Sequence, residues 1–267
     1  MRNKKKRNLW LMIIVLSVLL FQASQPMNRI TGVKDFDVDI LGQVYTLSHG
    51  VLNKYNKNFV KQNSFSDFSL GDISSFEAVD ALNIMMYYAD DEKIIFLDNN
   101  LNKKKSAISL SSLGYDEATL ACASYNTGFW IFTPVASELI RFNRLLEKTN
   151  ASGNLQQITG ESIYPQILRE TNNTVILSDT NRGVFLFDRY GAYIRKIPFL
   201  NVVDFQLNNN KLNMLKRDSL FSYDLKTLQI DTISLNKKVV RFKLSKDLFY
   251  YLNRNGILKA ENLLHKP

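Results

Sequence analysis

Histidine and cysteine are nearly absent from this chain: His49, His265 and Cys122 are all it holds. One cysteine excludes an internal disulfide framework, and so few nitrogen and sulfur ligands leave the usual zinc and copper centres without donors. Nucleophilic catalysis lacks its signatures as well. There is no Gly-x-Ser-x-Gly elbow, neither histidine has a nearby Ser and Asp arrangement, and no glycine-rich phosphate loop occurs. With only 5 prolines and 11 glycines in 267 residues, collagen-like and low-complexity classes are excluded. Beyond residue 25 there is no long apolar segment of helical period.

What is present is a large stock of core-forming residues: 45% are hydrophobic, 12% aromatic and only 22% charged. That composition belongs to a packed domain rather than a disordered chain. The net charge of +9 is unevenly spread. Arg2, Lys4, Lys5, Lys6 and Arg7 supply five of those charges with no acid among the first 25 residues. The body is therefore only mildly basic. Lys103-Lys104-Lys105 and Lys237-Lys238 lie in turns without interleaved aromatics, so nucleic acid is not an expected partner.

The basic cluster is followed by an apolar stretch, Leu9–Phe21, broken only by Ser17, and then by Gln22-Ala23-Ser24-Gln25-Pro26. This order is that of a secretory signal peptide, expected as a helix over residues 1–25 that precedes a single domain, 26–267. Thirteen apolar residues make a helix of about 20 Å, short of a bilayer's hydrocarbon core of about 30 Å. Pro26 directly follows the cut that Ala23 and Gln25 would define, so an uncleaved anchor is the alternative. The chain is accordingly expected in the periplasm, or held at the inner membrane through residues 9–21 if the segment is retained. Cys122, inside Leu120-Ala121-Cys122-Ala123, reads as a small buried hydrophobe.

A repeat runs through the body. An apolar strand, a polar turn, a second apolar strand and then an acidic or amide residue recur six times. The first strands of these pairs begin at Val44, Ile84, Phe129, Val175, Leu212 and Leu248; the second end at Asn56, Asp98, Asn143, Asp188, Asp224 and Glu261. The pair thus spans 12 to 14 residues while the repeat varies from 36 to 46. Turn geometry fixes a hairpin, whereas outer loops tolerate insertion. A short strand precedes each hairpin (Asp35–Asp39, Phe76–Val79, Leu120–Ala123, Ile167–Arg169, Val203–Leu207 and Val240–Leu244), and a more polar strand such as Tyr193–Ile197 follows it. Four strands in about 40 residues are the unit of a propeller blade. The middle strands, such as Val184-Phe185-Leu186-Phe187, read as continuous apolar runs, as strands covered on both faces should. The fold expected is all-β: a six-bladed β-propeller of four-stranded blades. Too few residues follow Glu261 for a last strand, so Arg29-Ile30-Thr31 is expected to close the ring.

On this periodicity, over residues 28 to 264, the chain resembles exported six-bladed propellers of the NHL and TolB-like kind. Asp37-Val38-Asp39 … Gly42-Gln43-Val44-Tyr45 is a partial echo of the NHL elements, while the Gly-His and Trp-Asp pairs of WD repeats and the double glycine of kelch repeats are missing. The Lys-, Asn- and Ile-rich composition suits a bacterial source.

Candidate sites follow from the ring. Inner strands line the channel, which makes Asp35, Asp37, Asp39, Glu77, Arg169, Asp204 and Arg241 the candidate lining. Asp35, Asp37 and Asp39 alternate, so they share a face and form a candidate calcium site; the competing reading pairs them with Arg241 or Lys243 of the sixth blade. No cofactor is otherwise implied. Ser124-Tyr125-Asn126-Thr127-Gly128-Phe129-Trp130 is the most unusual loop, and Tyr125, Asn126 and Trp130 are candidate interaction residues; the competing reading of Trp130 is a core position. The functional expectation is a non-catalytic, protein-binding scaffold of the bacterial envelope with another envelope protein as partner. The alternative is a hydrolase or lactonase with a divalent cation in the channel.

Overall fold

A computed structural model describes residues 29–246 and 248–262; the expected signal segment, residues 1–25, lies outside them. Six antiparallel sheets of four strands are arranged in a ring. Blade one comprises Asp35–Val38, Val44–Ser48, Val51–Tyr55 and Lys61–Phe65. Blade two is Ser75–Glu77, Ile84–Tyr88, Lys93–Leu97 and Ile108–Ser109, and blade three Leu120–Ser124, Gly128–Thr133, Glu138–Phe142 and Lys148–Ala151. Blade four is Ile167–Thr171, Thr174–Asp179, Gly183–Asp188 and Tyr193–Ile197; blade five is Asp204–Asn208, Lys211–Lys216, Ser219–Asp224 and Ile230–Ser234. Blade six takes Val239–Ser245, Leu248–Asn253 and Leu258–Asn262 from the end of the chain and its outer strand from Arg29–Ile30. Arg29 pairs with Lys259 and Ile30 with Leu258, so the N-terminal strand closes the ring.

The interior lies between blades. Six apolar clusters are present, and each joins two neighbouring sheets. The largest unites Tyr45, Leu47 and Leu52 of blade one with Phe76, Met86, Tyr88 and Ile95 of blade two. Between blades three and four, Trp130 and Phe132 meet Val175, Leu177, Phe185 and Phe187, with Leu155 and Ile163 of the connection sealing the edge. The closing seam is thinner: Phe36, Val38 and Val44 face Tyr250, Leu252 and Leu258. A four-stranded sheet alone exposes both faces; stacking hides them at about 25 cal/mol per Å² of apolar area.

The recurrent acidic or amide residue has a local cause. Asn56, Asp98, Asn143 and Asp188 each end a third strand, and their Oδ1 accepts from the N–H groups two and four residues on. Asp224 does the same for Lys226 and Thr227. Each side chain thereby fixes the turn into the outer strand. The longest connection, between blades three and four, folds into a short helix, Leu155–Thr159, capped by Asn154 and by Gly160 in the left-handed region.

Every inner strand runs from the connections towards its first hairpin turn. The ring therefore has a turn face, carrying the first and third hairpin turns of each blade, and a connection face, carrying the second turns and the blade-to-blade links.

Candidate functional site

The inner strands and their first turns enclose a cavity of about 790 Å3 that opens on the turn face. Asp37, Glu77, Arg169, Gln206, Arg241 and Lys243 reach its wall. Asp35 and Asp204, also on inner strands, stand outside this lining and join ion pairs beside it.

Most of these ionisable groups tie one blade to the next. Asp35 pairs with Arg241 Nε at 2.7 Å and Asp37 with Lys243 Nζ at 2.6 Å, both across the closing seam. Arg169 holds Asp204 at 2.7 Å between blades four and five. The free edges of the inner strands are bonded by the neighbouring blade's side chains. Asp37 Oδ2 accepts from Ala78 N at 2.8 Å, Glu77 Oε2 from Ala123 N at 2.9 Å, and Asp204 Oδ2 from Phe242 N at 2.9 Å. Gln206 brackets Leu244, accepting from its N–H and donating to its carbonyl. Arg169 and Arg241 donate to the carbonyls of Phe205 and Phe36. A buried backbone group without a partner costs about 1–3 kcal/mol, so these bonds stabilise an edge that neighbouring sheets leave open.

Electrostatics separate the carboxyls. Burial pushes Asp35 up, and Arg241 only partly counters it. Asp37 is lowered: burial opposes the charge, but the Lys243 ammonium and the Ala78 N–H outweigh it. Glu77 has no cation within ion-pair distance among the described residues, and burial pushes it up to about 7. Arg241 is raised; burial works against it, but Asp35 and Asp204 favour the cation.

Asp39 departs from the expected alternation. The strand ends at Val38, and Asp39 turns into the hairpin, where Oδ1 accepts from Leu41 N and Gln43 N and Oδ2 from Tyr45 Oη. Asp35, Asp37 and Asp39 are thus engaged separately. Among the described residues no three His, Cys, Asp or Glu side chains are grouped to hold a metal ion.

In blade three, Tyr125 occupies the first hairpin turn with its ring clamped between two guanidiniums, Arg141 at 3.7 Å and Arg189 of blade four at 3.8 Å. Asn126 is exposed at the tip with a φ of 53°, a region asparagine tolerates. Gly128 is obligatory here, because a Cβ would lie 2.4 Å from the Phe142 carbonyl oxygen. Trp130 is fully buried and offers no surface; its Nε1 donates to Glu170 Oε2 at 2.8 Å. Ser124 Oγ also donates to Glu170 and accepts from Arg141 Nε at 2.8 Å, forming a half-buried relay between blades three and four. Arg141, Glu170 and Arg189 were not singled out from the sequence. A lone arginine within Leu139-Ile140-Arg141-Phe142 is the one available signal.

On the connection face, Ile158, Tyr164, Leu200 and Val203 are 42%, 68%, 41% and 47% exposed. Tyr164 N bonds Asp179 and Asn201 N bonds the Thr180 carbonyl, so one hairpin turn of blade four seats both connections side by side.

No family model matches the chain, and no curated protein does. Solved structures do. A chain of the mitotic checkpoint complex is 10% identical with a TM-score of 0.64, covering 90% of this chain and 92% of its own. Virginiamycin B lyase from Staphylococcus aureus is 9% identical, with a TM-score of 0.60 over 87% of this chain and 80% of its own. BamB from Moraxella catarrhalis is 14% identical, with a TM-score of 0.50 over 84% and 68%. At such identities the likeness is one of fold alone, and at that level the chain is a six-bladed propeller like those the repeats resemble.

Proposed function

We propose that this protein is a non-catalytic propeller that binds another protein of the bacterial envelope. It would be exported by its N-terminal segment to the periplasm, or held at the inner membrane if that segment is retained. The observation that carries this reading is the exposure of Tyr164 and Leu200 on two connections that one hairpin turn seats side by side. Adjacent exposed apolar side chains on a rigid scaffold are the usual anchors of a protein interface. The engagement of channel carboxylates in blade-to-blade bonds supports the same reading, since those groups already have a structural task. Propeller neighbours drawn from protein complexes, among them BBS1 with ARL6, show that the fold serves such contacts elsewhere.

The alternative, a hydrolase or lactonase using a divalent cation, is favoured by one feature: Glu77, a carboxyl pushed up to about 7 on the wall of an open cavity. Against it, a histidine-to-alanine variant of the virginiamycin lyase is catalytically inactive, and among the described residues no histidine lines the cavity.

Crosslinking in intact cells separates the two. The scaffold reading expects one envelope protein to be recovered with the native chain and lost with Tyr164→Asp plus Leu200→Asp, while circular dichroism is unchanged. Turnover of a lactone or phosphodiester by the purified chain, with no protein recovered, overturns it.

A further inference from the structure

The two faces of the disc differ in charge. Among the described residues the first and third hairpin turns together hold eight Lys or Arg and four Asp or Glu, whereas the second turns and connections hold six and nine. On the third turns the basic residues recur beside a protruding apolar one. Blade three presents Arg144 with Leu145, whereas in blade four Arg189 is half-buried against Tyr125 and leaves Tyr190 exposed beside it. Blade one repeats the pairing with Lys57 and Val60, and blade five with Lys226 and Leu228. Val60, Leu145, Tyr190 and Leu228 are 58%, 65%, 59% and 56% exposed, each on the third turn of its blade. Nearer the cavity mouth, Ile40 and Leu82 add further exposed aliphatic tips.

We infer that the turn face rests on an anionic lipid surface, with the apolar tips dipping into the headgroup layer and their basic neighbours meeting lipid phosphates. Basic residues near an anionic leaflet are drawn to it electrostatically, and shallow apolar tips add in proportion to their buried area. The direction of the chain selects a membrane over an acidic protein as the occupant. The closing strand Arg29–Ile30 is antiparallel to Leu258–Asn262 and so travels from the turn face towards the connection face. Leu9–Phe21 precedes Arg29 by only seven residues, which span at most about 25 Å, so where that segment is retained in a bilayer the turn face is the one held near it. The connection face, with Tyr164 and Leu200, then points away from the bilayer and stays free for a protein. The inference does not depend on that protein existing.

The test uses the full chain reconstituted into vesicles. Cys122 is buried, so single cysteines can be labelled with an environment-sensitive fluorophore. Leu145→Cys and Leu228→Cys report the turn face and Val135→Cys the connection face; unchanged circular dichroism certifies each fold. In vesicles containing phosphatidylglycerol, the first two labels should be quenched several-fold more by a lipid-borne quencher than the third. The excess should shrink in phosphatidylcholine alone, in high salt, and when Arg144→Glu and Lys226→Glu are added. Equal quenching at all three sites, stronger quenching at position 135, or shielding of the turn-face labels by envelope protein without lipid would each overturn the inference.

Discussion

The seam between blades three and four and the seam that closes the ring between blades six and one solve one problem with different chemistry. At the first, Cys122 of the inner strand packs with Trp130, Phe132, Phe185 and Phe187, which fill the space between the sheets. No ion pair of the channel crosses there; polarity enters through the half-buried Arg141–Ser124–Glu170–Trp130 relay. At the closing seam the apolar cluster is smaller, and Asp35–Arg241 and Asp37–Lys243 cross it. The contrast shows charge fastening the seam where the chain ends meet, and aromatic packing dominating the other. Ion pairs add orientation and exclude misregistered closure, whereas aromatic packing supplies most of the free energy.

The largest break in that contrast is Trp130→Ala. It empties an aromatic site and strands Glu170, and chemical denaturation should show a loss of about 3–5 kcal/mol. Asp204→Ala should come next, at about 2–4 kcal/mol, because it leaves the Phe242 N–H and Arg169 without their buried acceptor. Glu77 gives a smaller, pH-dependent effect. Its carboxyl is raised from 4.5 to about 7 in the folded chain, so the folded state holds a proton that the unfolded state has released between those values. Stability from this group is full below pH 4.5 and falls as pH rises towards 7. Solvent in the open channel keeps the loss to about 1–2 kcal/mol. Glu77→Gln should flatten the slope while leaving stability near pH 4 unchanged; a persistent slope would place the titrating group elsewhere.

Much of the ring was legible because its cause is local. A hairpin of fixed length, an Asx turn after the third strand and an apolar run covered on both faces each leave a mark within about ten residues. Arg29–Ile30 was legible by counting, since an odd outer strand was missing at the other end. The site was less so. Tyr125, Asn126 and Trp130 stand in one loop, yet the hairpin register places Trp130 in the core and Tyr125 between two arginines. Arg189 and Glu170 reach that loop only through the ring's curvature, which brings together residues more than 40 apart in sequence. Asp39 does line the cavity, but one residue past the strand's end, where its carboxylate holds an Asx turn.

The claim that the channel's charges are blade-to-blade fastenings is tested most directly by a double-mutant cycle on Asp37 and Lys243. Measured by equilibrium unfolding of Asp37→Ala, Lys243→Ala and the double variant, the account predicts a coupling of about 1–2 kcal/mol, with Asp37→Ala the costlier single change because Ala78 N loses its acceptor too. A coupling of zero, with stability barely altered in either single variant, would contradict it.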